Sequence, residues 1–159
     1  MKLEFESNTA KLPLIDHQDV NEIVSDSDSP EVTKMLREGI TAAQEGRRAE
    51  ARTLLLRVTE ADSKSENAWL WLASISEYPE ELLVFLKNVL NINPKNERAI
   101  EWSKATEALM AKTFVQRGIE ASKNNQNDLA RQCFLQAIVQ DSTSELAWLW
   151  LASVSESPE

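Results

Sequence analysis

The side chains able to do chemistry are few and poorly placed for it. His17 is the only histidine and Cys133 the only cysteine. Nucleophilic catalysis needs a nucleophile within reach of a positioned base. The one imidazole lies in an acidic N-terminal stretch, and the one thiol falls on the apolar stripe of a predicted helix. There Cys133 reads as a small core residue rather than a reactive thiol. No His, Cys and Asp residues stand at metal-ligand spacing. With three glycines in the chain, no glycine-rich loop is present to cradle a phosphate. The carboxylates are scattered along helix surfaces, where they are solvated. The expectation is a protein that is not an enzyme and has no catalytic residue, metal or cofactor.

Charge and length narrow the class further. The 159 residues carry a net charge of −9. Residues 1–31 hold two Lys against eight acids, whereas residues 32–159 are nearly balanced. A basic stripe for nucleic acid is absent, so no nucleic acid partner is expected. No apolar run reaches the roughly 18–20 residues of a membrane span, and Met1-Lys2-Leu3-Glu4 does not open a signal peptide. The single cysteine suits a reducing compartment, which points to a cytoplasmic protein without membrane insertion. Residues 1–29 form an acidic tail, expected to be mostly disordered because it has little to bury. Its apolar islands, Leu3 with Phe5 and Leu12 to Ile15, are either a docking or capping segment or part of a linker. The run Ser25 to Pro30 is a weak candidate for phosphorylation.

From residue 30 the pattern is helical, and the fold class is all-α. Pro30 begins a helix after Ser29, and Gly46 stops it. Ala51, Leu54, Leu55 and Val58 mark a second helix that ends near Asp62. Ser65 caps a third, and Pro79 starts a fourth with Leu82, Phe85, Leu86 and Val89 on its stripe. Asn96 to Asn124 holds no proline, which predicts one long helix, with a bend near Met110–Thr113 as a variant. Two more helices follow, from Leu129 to Ile138 and from Ser144 to Glu156.

The stretch Ala68-Trp69-Leu70-Trp71-Leu72-Ala73-Ser74 recurs letter for letter at Ala147 to Ser153, 79 positions later. At that offset residues 33–80 and 112–159 share 21 identities in 48 positions, which reads as an internal duplication. Trp69 and Trp148 are expected in the core. Trp71 and Trp150, about 200° around the wheel, either pack on the preceding helix pair or line a groove. Trp102 is expected to pack.

Trp69-x2-Leu72-Ala73, its copy at Trp148, Ala51-x3-Leu55, Ala130-x3-Phe134 and Pro94 resemble the tetratricopeptide repeat. That resemblance covers about residues 33–159. It implies a right-handed α-solenoid of helix-turn-helix repeats: module one at 33–96, a spacer helix at 97–110, and module two at 111–159. The departures are a second unit shortened by about three residues and a poor match over 97–110. The resemblance also implies a scaffold that binds a protein or peptide. The Lys and Asn clamp that some relatives use for C-terminal carboxylates is missing, since its positions hold Leu36, Ile40, Val115 and Ile119. A groove lined by Leu36, Ile40, Leu70, Trp71, Val115, Ile119, Leu149 and Trp150 suits an amphipathic partner helix instead. An alternative is self-association through the solenoid ends. Tyr78-Pro79-Glu80 opens a covering helix, whereas Ser157-Pro158-Glu159 ends the sequence. The last Trp helix is therefore expected to lack its cover, as in a fragment of a longer repeat protein or a self-associating face.

Overall fold

The computed structural model describes residues 29–155. These form seven helices and no strand: α1 Pro30–Gln44, α2 Arg48–Ala61, α3 Glu66–Ile75, α4 Pro79–Ile92, α5 Glu97–Lys123, α6 Asn127–Gln140 and α7 Glu145–Ser155. Every predicted helix is present, and α5 runs unbroken through Met110–Thr113. The expectations for the acidic tail, its apolar islands, His17 and Pro158 lie outside the described residues. Among the described residues no helix is long and apolar enough to cross a membrane.

Local chemistry sets the helix ends. Pro30 and Pro79 open α1 and α4, where a missing N–H costs nothing. Ser65 caps α3 by accepting from the Ala68 N–H, and Ser144 does the same for Ala147. Asn96 accepts from the Ala99 N–H at the start of α5, 2.9 Å away. After α1 the chain closes a Schellman turn. The Arg47 N–H bonds the Ala42 carbonyl, the Gly46 N–H bonds that of Ala43, and Gly46 has φ +79°. Asn125, 79 positions on, takes φ +60° in a turn of the same bonding, Gln126 to Ala121 and Asn125 to Ser122.

The chain divides into two compact units, the first ending at Trp102 and the second beginning at Ser103. The boundary falls within the residues expected as a spacer, 97–110. In the first unit α1 packs on α2, α2 on α3, and α3 on α4. Its core holds Leu36, Ile40, Leu55, Val58, Leu72, Leu86 and Val89, with Trp102 closing it. In the second unit the C-terminal half of α5 lies against α6, and α6 packs on α7. Phe134 is its centre. The Phe134 ring stacks on Trp150 with centroids 6.0 Å apart, and Gly118 is the reason it fits. A Cβ built on Gly118 would stand 2.5 Å from the ring.

Candidate functional site

The first unit shows how a Trp helix is covered. α3 is apolar nearly all round, as a helix flanked on two sides must be, and α2 and α4 supply the flanks. Three side chains beneath α4 hold it. Arg52, on α2, donates to the Glu81 carboxylate in the first turn of α4. Its guanidinium also sits 5.9 Å from the centre of the Phe85 ring, within cation–π range. The hydrogen bond to Glu81 raises the Arg52 pKa above its ordinary value, against a smaller opposing effect of burial. Trp69, on α3, meets the same Phe85 ring at 5.9 Å between centroids. Glu66, at the start of α3, accepts from the Asn93 and Asn96 amides just beyond the end of α4.

The corresponding surface of the second unit is open. Arg131, Glu145 and Trp148 stand 79 positions after Arg52, Glu66 and Trp69, with no change of residue. All three are exposed. Among the described residues Arg131 pairs with the Asp128 carboxylate, at 3.8 Å and itself almost fully solvated. Leu70 is 8% exposed, whereas its counterpart Leu149 is 67% exposed. Trp148 is 52% and Leu146 53% exposed. On α6, Leu135 and Val139 are exposed as well. This is a concentration of large apolar side chains on two packed helices, a kind of surface that marks an interaction site.

Trp148 is also fixed in place. Its Nε1–H donates to the Ser142 carbonyl at 3.0 Å. The Asp141 carboxylate shapes that loop by accepting from the Thr143 N–H at 3.0 Å. Trp69 makes the matching bond to Ser63, also 3.0 Å. The indole thus has its one polar group satisfied and its orientation set, with half its surface in water. A side chain held this way loses little rotamer freedom on contact, which favours binding.

The residues expected to line a groove are divided between the two units and differ in burial. Leu36, Ile40, Leu70 and Trp71 are buried in the core of the first unit, and Val115 in that of the second. Ile119 and Trp150 are half-buried against the second core. Leu149 alone of the eight is widely exposed. For the first Trp pair, Trp71 packs in the core, one of the two placements expected for it, while Trp69 is less buried than expected. Trp71 is the buried residue of its pair, and Trp69 is only half-buried because its indole reaches over the preceding loop to Ser63. Trp148, expected in the core, is the most exposed of the described indoles. Trp102 packs as expected.

No family model matches the chain, and no curated protein is significantly similar to it. Among the described residues no group of His, Cys, Asp and Glu is arranged to hold a metal. Cys133 is a buried free thiol. Sequence reasoning missed Arg131, Leu146 and Val139 as surface residues, whereas it did expect the last Trp helix, with Trp148 and Leu149, to lack its cover. One signal was present in the letters: 79 positions after Glu60 stands Val139, and 79 after Asn67 stands Leu146. At both positions the second unit has an apolar residue where the first has a polar one.

Proposed function

We propose that this chain is a protein-interaction module, a right-handed solenoid of tetratricopeptide-like helical hairpins that binds an amphipathic helix of a partner. The duplicated 79-residue pattern and the small, aromatic and proline positions in phase with that repeat support the architecture. The observation that carries the function is the exposed apolar face of α6 and α7, centred on Trp148 and Leu149. A reducing cytoplasmic setting fits the single buried thiol. Catalysis plays no part in this proposal.

The same exposure favours one second reading, self-association through α7. Sedimentation over a wide concentration range, with and without amphipathic helical peptides, separates the two. A binding module stays monomeric at micromolar concentration and takes up helical peptides, and Leu149→Asp abolishes that uptake. A self-associating unit forms dimers or larger species that Leu149→Asp disperses. A monomer indifferent to every amphipathic helix offered contradicts both.

A further inference from the structure

Resting on the helix-binding reading above, the partner's chemistry can be made specific. The first unit shows what kind of helix its own α2–α3 surface accepts. α4 is held at its first turn by Arg52 on Glu81, one turn later by Arg52 and Trp69 on Phe85, and at its far end by Glu66 on two amides. The second unit retains all three holding residues, as Arg131, Trp148 and Glu145, and presents them to solvent. The peripheral pair Arg48–Glu77 is not retained, since Asn127 replaces Arg48. What persists is the set that grips the body of the covering helix.

We infer that the α6–α7 face is a docking site for a partner helix of the same chemistry as α4. Such a helix has an acidic first turn for Arg131. An aromatic residue follows four positions after the acid, to lie between the guanidinium and the Trp148 ring. Aliphatic residues continue the stripe, and amide side chains just past its end bond Glu145. Charge complementarity fixes its polarity. The cation Arg131 meets the helix N-terminal end, where carboxylates are also favoured by the helix dipole, and the anion Glu145 meets the other end. A basic amphipathic helix, apolar on one side but lysine-rich in its first turn, is disfavoured by like charge at Arg131 and is not the occupant.

The test uses the full chain and a synthetic peptide of residues 79–96, followed by fluorescence anisotropy. The peptide binds one to one. Arg131→Glu, a surface change whose folding is checked by circular dichroism, weakens binding about fivefold or more, the loss expected when a part-exposed ion pair and a cation–π contact go together. A peptide carrying Glu81→Arg reverses the preference and binds the Arg131→Glu chain better than the parent. A peptide with Phe85→Leu binds more weakly than the original. If a peptide with the same stripe but neither Glu81 nor Phe85 binds equally well, the inference is overturned while helix binding stands. If no amphipathic helix binds, both are overturned. If the chain assembles with itself through this face, and Arg131→Glu disperses the assembly while no peptide binds, the occupant is a second copy and the inference fails.

Discussion

Two indoles, Trp69 and Trp148, are pinned by the same hydrogen bond to a loop carbonyl and differ in what lies on their faces. Phe85 covers one, and the other meets solvent. The energetic weight within the Trp helices therefore sits one step along, on Trp71. Trp71→Ala empties a buried aromatic site and should cost about 3–5 kcal/mol. Trp148→Ala removes a half-exposed ring and should cost under about 1 kcal/mol. Denaturant melts of the two variants give the comparison, and equal losses would mean that Trp148 is covered in solution. The identical letters around the two rings put both in the core when the heptapeptide is read by itself, and the expectation that the last Trp helix lacks its cover comes from outside it. Burial depends on a third helix, which the local heptapeptide does not encode. The glycines give a second contrast. A Cβ on Gly118 would meet the Phe134 ring at 2.5 Å, whereas one on Gly39 meets Leu55 at 3.0 Å. The aromatic ring is enclosed and has nowhere to move, so Gly118→Ala should lose about 1–2 kcal/mol net of its helix-propensity gain. Gly39→Ala should change the melting temperature much less, because a Leu side chain can shift by the few tenths of an ångström required.

At the scale of elements, the helices were legible because their punctuation is chemical. Pro30 and Pro79 begin helices, Ser65 and Ser144 cap them, and Gly46 ends one in the left-handed region. The second unit reaches the same turn with Asn125, the residue after Gly that tolerates such a φ best. Gly46→Ala forces a Cβ into that conformation and should cost about 1 kcal/mol. Asn125→Gly should leave thermal stability unchanged or slightly higher. A rise for Gly46→Ala in thermal melts would contradict the assigned turn. Sequence failed where pairing between elements decides the outcome. The residues chosen for a groove, Leu36, Ile40, Leu70 and Val115, are apolar and in phase, which are also the properties of a core seam. Periodicity says which face is apolar and is silent on whether a neighbour covers it.

For the molecule as a whole, each unit can be described by what holds its Trp helix. The first unit sandwiches α3 between α2 and α4, while the second packs α7 on α6 and leaves Trp148, Leu149 and Leu146 in water. Apolar side chains of that size favour burial by about 25 cal/mol per Å² of covered surface, so the open face gains from a partner that covers it. The most direct test is fluorine NMR of the full chain with fluorinated tryptophan, titrated with the peptide of residues 79–96. Five indole signals are expected from five Trp, with Trp148 assigned by Trp148→Phe. The account predicts that before peptide is added the Trp148 signal is strongly shifted by exchange into heavy water while that of Trp71 is not. It further predicts that the peptide moves Trp148 most and removes its solvent shift. A Trp148 signal already insensitive to solvent, or one that stays still while Trp71 responds, would contradict it.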